Sequence, residues 1–270
     1  MSTRTFSSTT STFRTRRCEQ RERGLRATGG APFEDLGMIG THHVPASHHF
    51  THYVLRTTDA FAAREFYDAV LGPGRAAIVP LHERALARGA RPHWLGQIEV
   101  HDVAAAVAAF EAKGAESLGP VGTFPEGRSF AVLRDPGGAI VGLTSPSESK
   151  GASFVVWHHL NSNDRSRVEQ VYTSLFGWQL TQRIEVPEEG ELHHFTWVGA
   201  TGDVGSIGDI QGKSGRHPHW LFHFAVPDFT RAVATVRTLR GVVLGPFTLA
   251  SGERLAVCDD PQGAAFALRG

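Results

Sequence analysis

The feature that most limits what this chain can fold into is an internal duplication. Pro92-His93-Trp94-Leu95 recurs as Pro218-His219-Trp220-Leu221 at an offset of 126, and Leu118-Gly119-Pro120 recurs as Leu244-Gly245-Pro246 at the same offset. Asp135-Pro136-Gly137-Gly138-Ala139 returns as Asp260-Pro261-Gln262-Gly263-Ala264 at 125. Upstream the offset is 105. There His52-Tyr53-Val54-Leu55, Asp59, Phe66-Tyr67 and Leu71-Gly72 lie opposite Trp157-His158-His159-Leu160, Asp164, Val171-Tyr172 and Phe176-Gly177. Self-similarity over such a span means that one folding unit is used twice. The change of offset, 21 residues, is a loss from the first copy between Leu71-Gly72 and Pro92. The expected organisation is a leader over 1–48, a shortened domain over 49–146 and a complete one over 152–270, joined by the polar stretch 145–151.

Each copy has a further rhythm. In the second, 154–160 reads as a strand, and Asp164 can cap a helix because its carboxylate accepts an orphan N–H of the first turn. The helix is predicted to run to Phe176, followed by strand-like runs at 178–186, 192–199 and 203–211 with turns between them. The pattern then restarts. A strand at 220–226 leads to Asp228 as a cap and to a helix with Phe229, Ala232, Val233, Val236 and Leu239 on one face. Gly241 is the expected stop, and three short strands run to Leu268. A full copy is therefore two βαβββ modules, with eight strands and two helices. The loss from the first copy should remove two or three strands and leave open sheet edges.

Composition narrows the classes of function. Lys and Arg number 27 and Asp and Glu 27, so no basic field exists to draw in nucleic acid. No run reaches the ~18–20 apolar residues of a membrane span. Cys18 and Cys258 cannot build a disulfide framework and fit a reducing, cytoplasmic setting. Residues 1–17 hold ten Ser or Thr and four Arg, too little apolar surface to offset ordering, so disorder is expected there. The segment has no apolar h-region, which argues against a secretory signal. Histidine is abundant, at 15, with five between 42 and 52 and seven between 158 and 223. The first group reads as a solvated linker; the second raises the question of a site.

Paired βαβββ units with Phe66-Tyr67 and Leu71-Gly72 closing one helix, Phe176-Gly177-Trp178 closing its counterpart, and Asp-Pro-x-Gly-Ala before each last strand resemble the vicinal oxygen chelate superfamily. Its members include glyoxalases, extradiol dioxygenases and bleomycin-resistance proteins. The resemblance implies an α+β fold of two tandem domains, the first truncated in its first module, with strands curled around a concave cavity. Enzymes of the family hold a divalent metal there that polarises vicinal substrate oxygens. The resemblance also implies ligand positions on the first strand of each module and a carboxylate seven residues after the Asp of Asp-Pro-x-Gly. In the first copy these are His52, Leu95 and Gly142; in the second, Trp157, Leu221 and Ala267. Neither set makes a triad.

A displaced site is the alternative. Side chains two apart on a strand share a face, so His159 follows Trp157, and His223 follows Leu221, with His193 or His194 as a third imidazole. Such a set suits a divalent metal (Zn, Fe, Mn or Ni). Arg128 and Arg254 precede the penultimate strand of each copy, where a guanidinium can clamp a carboxylate or phosphate or make a structural salt bridge. Trp157, Trp178, Trp197 and Trp220 offer stacking surface or core. Cys258 reads as packing, and the glycines of 205–215 lack a phosphate-loop spacing. The expectation is a glyoxalase/bleomycin-resistance-like protein that binds a small molecule in the second copy through Trp157, His159, Trp197, His223 and Arg254, without the metal triad. The competing expectations are a metal-dependent lyase or dioxygenase using the displaced histidines, and a scaffold that homodimerises through the open edges of the first copy.

Overall fold

The duplication is laid out as two sheets. The first contains β1 (Phe50–Thr57), β2 (Ala77–Pro80), β3 (His93–Glu99), β4 (Glu116–Ser117), β5 (Gly122–Thr123), β6 (Ser129–Arg134) and β7 (Ile140–Thr144), in the order β2-β1-β3-β7-β6-β4 with β5 also on β6. The second contains β8 (Val155–Ser162), β9 (Gln179–Val186), β10 (Gly190–Thr196), β11 (Gly205–Asp209), β12 (His219–Ala225), β13 (Val242–Thr248), β14 (Arg254–Asp259) and β15 (Ala265–Arg269), in the order β13-β14-β15-β12-β8-β11-β10-β9. Among the described residues five helices complete the α+β fold: α1 (Ala60–Leu71), the short α2 (Glu83–Ala87), α3 (Val103–Glu111), α4 (Arg165–Phe176) and α5 (Phe229–Thr238). This computed structural model describes residues 48–147, 154–187 and 189–270. The expected leader, apart from its last residue, and much of the 145–151 connection lie outside them. Among the described residues no helix is long and apolar enough to cross a membrane.

Each module begins the same way because the same Asp follows its first strand. Asp59, Asp102, Asp164 and Asp228 cap α1, α3, α4 and α5, each carboxylate accepting a first-turn N–H. At the end of α5 the left-handed residue is Arg240, with φ 66°, rather than Gly241. Gly241 is needed for a different reason: a Cβ there would lie 2.8 Å from the Asp259 carbonyl oxygen.

The missing segment is now identifiable. β1 pairs in parallel with β2 as β8 does with β11, so the first copy lacks the counterparts of β9 and β10, two strands that form a hairpin. The edge left behind is four residues long and ends at Pro80. Proline has no N–H to offer a further strand, so this edge is blunted against pairing.

The two sheets share one core, and elements of the two copies cross over in it. Phe50 of β1 stacks on His158 of β8 (centroids 5.1 Å apart) and meets Trp220 and Phe222 of β12 edge-on at 4.9 and 5.6 Å. Gly96 of β3 is a point of close approach, since a Cβ there would lie 2.5 Å from the Phe222 ring. Helix α1 packs on α5, and α3 on α4, each pair taking one helix from each copy.

Two tyrosines fasten the copies to one another. The Tyr67 hydroxyl of α1 donates to Asp260 Oδ2 at 3.1 Å, and the Tyr172 hydroxyl of α4 donates to Asp135 Oδ2 at 3.0 Å. These are the aspartates of the two Asp-Pro-x-Gly turns. Each uses its other oxygen on its own turn: Asp135 Oδ1 accepts from the N–H groups of Gly137 and Ala139, and Asp260 Oδ1 from those of Gln262 and Ala264. All four residues are buried, and a buried carboxylate oxygen left without its donor costs about 1–3 kcal/mol. Tyr67→Phe and Tyr172→Phe are therefore expected to lower unfolding free energy by about 1–3 kcal/mol each, by similar amounts, in urea denaturation at pH 7. A loss under about 0.5 kcal/mol in both would contradict the cross-copy role.

Candidate functional site

Strand pleat and register decide which side chains of the second copy meet. On β8, His158 and Leu160 point into the inter-sheet core, so Trp157 and His159 point to the outer face. Residues directly opposite in a sheet share a face. One row across the sheet is Leu244, Val257, Ala267, His223 and Trp157. The next is Leu221, His159, Ser206 and His194, and a third is Phe247, Leu255 and Arg269.

These rows converge on Trp157. The Arg269 guanidinium lies 4.5 Å from the centre of its ring, and His194 meets it edge-on at 4.9 Å. Its indole N–H donates to Ser206 Oγ at 3.2 Å, and Ser206 Oγ is also 2.8 Å from His159 Nδ1. Arg269 Nε donates to His223 Nδ1 at 3.2 Å. An imidazole nitrogen that accepts is unprotonated, so Nε2 of His223 carries the hydrogen. That atom is buried and has no partner among the described residues. Burial, and then the charge of Arg269, holds His223 well below the usual histidine range. Burial likewise pulls His159 down to about 4, with the neighbouring His219 adding to the effect. Both rings are neutral at pH 7.

Of the other expected site residues, His194 alone shares this face. His193 is on the opposite face of β10, with Nδ1 2.6 Å from Glu169 of α4 and Nε2 2.7 Å from Glu191. His194 is on the Trp157 side, with Nδ1 2.9 Å from Asp203 Oδ2. Trp197 packs on His158 and Trp178 at the inter-sheet core, where Trp178 and Trp220 are also buried. Arg254 lies on the helix side, its guanidinium 4.6 Å from the Phe229 ring and its Nη1 donating to Thr230. At the local offset of 125 the residue matching Arg128 is Glu253, and a shift of one residue along a strand changes the face. Cys258 is buried, its thiol pushed up to about 12 by burial and then by Asp259.

Arg269 went unnoticed in the sequence, yet a signal for it existed. It stands two residues after Ala267, as His159 stands two after Trp157 and His223 two after Leu221. The same-face rule that found the histidines applies to it equally.

The family's metal positions do not offer a donor set. Trp157, Leu221 and Ala267 cannot ligate, and Ala267 is fully buried. In the first copy a Cβ at Gly142 would lie 2.8 Å from the Gln97 side chain, which fills the place of a carboxylate. Among the described residues no group of three or more His, Cys, Asp or Glu is placed to hold a metal ion. Of the displaced histidines, His193 lies on the other face, whereas His159, His194 and His223 share one.

Comparison with known proteins agrees with this architecture. The family model described as Glyoxalase/Bleomycin resistance protein/Dioxygenase superfamily matches residues 155–268. Proteins named "Putative glyoxylase CFP32" from Mycobacterium bovis and Mycobacterium tuberculosis are each 28% identical over 244 residues, covering 79% of this chain and 91% of theirs. The 2,3-dioxygenase LapB from Pseudomonas sp. KL28 superposes with a TM-score of 0.56 at 15% identity, over 82% of this chain and 91% of its own. The Mn(II)-bound glyoxalase from Novosphingobium aromaticivorans gives 0.56 at 12%, over 83% and 82%. A variant of homoprotocatechuate 2,3-dioxygenase from B. fuscum gives 0.59 at 15%, over 83% and 71%.

The buried imidazoles set the pH dependence of stability. His158 is enclosed, with Nδ1 2.8 Å from the Val204 carbonyl and Nε2 2.6 Å from the Tyr53 hydroxyl, and burial lowers it to about 4 from 6.5. The unfolded ring takes its proton near 6.5 and the folded ring only near 4, so stability present above pH 6.5 is lost as pH falls towards 4. His159 and His223 act in the same sense. Asp135, raised by burial to about 6, acts oppositely: its contribution is present below 3.8 and lost as pH rises to 6. His158 and His159 each contribute on the order of 3 kcal/mol, and Asp135 offsets about one of them. The melting temperature should fall between pH 6.5 and pH 4 in near-ultraviolet circular dichroism; a flat or rising profile would contradict this.

Proposed function

We propose that this chain, a member of the glyoxalase/bleomycin resistance protein/dioxygenase superfamily, binds a small molecule on the outer face of its second sheet without the superfamily's metal triad. The supporting observation is the corner built by Trp157, Arg269 and His223. It combines a flat indole, a guanidinium 4.5 Å above it and a buried imidazole N–H with no acceptor among the described residues. Binding sites have this character: apolar surface with a few fixed polar groups. Apolar surface lies farther along the same face, since Leu244 is 62% exposed and Phe247 45% on β13, two strands beyond β15. Large apolar side chains grouped in the open mark contact surfaces. A sequestering role of the bleomycin-resistance type needs no more than such a face, and the free, buried Cys258 accords with a reducing, cytoplasmic setting.

The test has two arms on tag-free protein. A small-molecule library screened by thermal shift should yield stabilising compounds whose effect disappears in Trp157→Ala and persists in Trp157→Phe. Chelator or added Mn or Zn should leave the melting temperature unmoved. Compounds that stabilise Trp157→Ala as well as wild type would refute the binding face. One metal per chain that is lost in His159→Ala or His223→Ala would establish the displaced metal site instead.

A further inference from the structure

Each copy carries a guanidinium at the same outer corner, but the two are in different states. In the first copy Arg128 Nε and Nη2 both donate to Glu126 Oε1, at 3.2 and 2.8 Å, and Nη1 donates to Thr144 Oγ1 at 3.1 Å. That fork is fully engaged. At the offset of 125, Thr144 corresponds to Arg269 and Arg128 to Glu253. The cation has moved to the neighbouring strand, and its counter-ion has loosened. Arg269 Nη1 is 3.7 Å from Glu253, whose side chain is half exposed, a distance beyond hydrogen bonding. Among the described residues, Arg269 has a hydrogen bond through Nε alone, to His223 Nδ1.

The corner thus presents a guanidinium with open donors, and beside it the His223 Nε2–H without an acceptor among the described residues. It carries one positive charge and no carboxylate in hydrogen-bonding contact. Along the same row lie Leu255 and Phe247, and along the next, Val257 and Leu244. Charge, donor geometry and apolar surface are therefore arranged in sequence across the sheet.

We infer that the ligand of this face is a carboxylate monoanion with a flat aromatic body, its carboxylate held by the Arg269 fork and its ring lying between Trp157 and the Leu244–Phe247 wall. This rests on the binding face proposed above and adds the chemical class. A planar carboxylate matches a guanidinium fork in shape and charge. A phosphate monoester, as a dianion, would call for a second cation, and His223 is neutral.

Isothermal titration calorimetry on the full chain tests the assignment with benzoate, phenylacetate and 2-naphthoate, each beside its neutral amide. The acids should bind about tenfold or more tightly than their amides, as a charge-assisted contact requires. The preference should shrink in high salt, disappear in Arg269→Gln, survive in part in Arg269→Lys and be unchanged in Arg128→Gln. Acid and amide binding equally, both lost in Trp157→Ala, would overturn the carboxylate assignment and leave the binding face standing. Binding by none of the six compounds would overturn the assignment and count against the face as well. If Arg269→Gln fails to fold, the acid–amide difference in wild type decides alone.

Discussion

The structure depends on the way the two copies close over each other. A single copy is a sheet with helices and a wide apolar face, and that face is covered only by its partner copy. Phe50 and His158 stack across the contact, and two Tyr–Asp hydrogen bonds also cross it. Burial of aromatic side chains supplies the driving force, at roughly 1.5–3 kcal/mol for a ring the size of Phe. The tyrosine bonds supply the register, because a buried carboxylate tolerates no other position for its donor. The recurring Asp-Pro-x-Gly turn is thus more than a strand connector. It presents a carboxylate to a helix of the opposite copy.

That arrangement separates two tasks that share one fold. Inner faces are committed to the core, so ligand chemistry is left to the outer faces. There the copies have diverged. The first has lost the β9–β10 counterpart and has internal partners for its Arg128. The second keeps the hairpin, and with it His194 and Asp203 beside Trp157. Loss of a hairpin from the first copy leaves the common core intact, since the missing strands lie at the far edge of the sheet from β3.

Much of this was legible in the sequence because it follows from periodicity. The offsets of 126, 125 and 105 disclose two copies and the missing segment, and Asp164 and Asp228 mark the helix starts that they cap. Pleat arithmetic put Trp157 and His159 on one face, and His223 with Leu221. It could not show which of Trp157 and Trp197 faces outward, because the strand expected over 192–199 ends at Thr196, just before Trp197. Arg254 was misplaced for a similar reason. Two arginines near equal offsets look equivalent, but the offset slips from 126 to 125 between them, and one residue reverses a strand's face. The Tyr–Asp bonds were invisible, since nothing local in a sequence records a partner 193 or 37 residues away.

Ligand binding at the outer corner of the second sheet, through Arg269 and Trp157, is the proposal on which the functional reading rests. A crystal structure of the protein with 2-naphthoate examines that directly. The carboxylate is expected on the Arg269 fork within hydrogen-bonding distance and the naphthyl ring against Trp157. A ligand seated away from both residues, or a metal ion bound between His159, His194 and His223, would contradict the proposal.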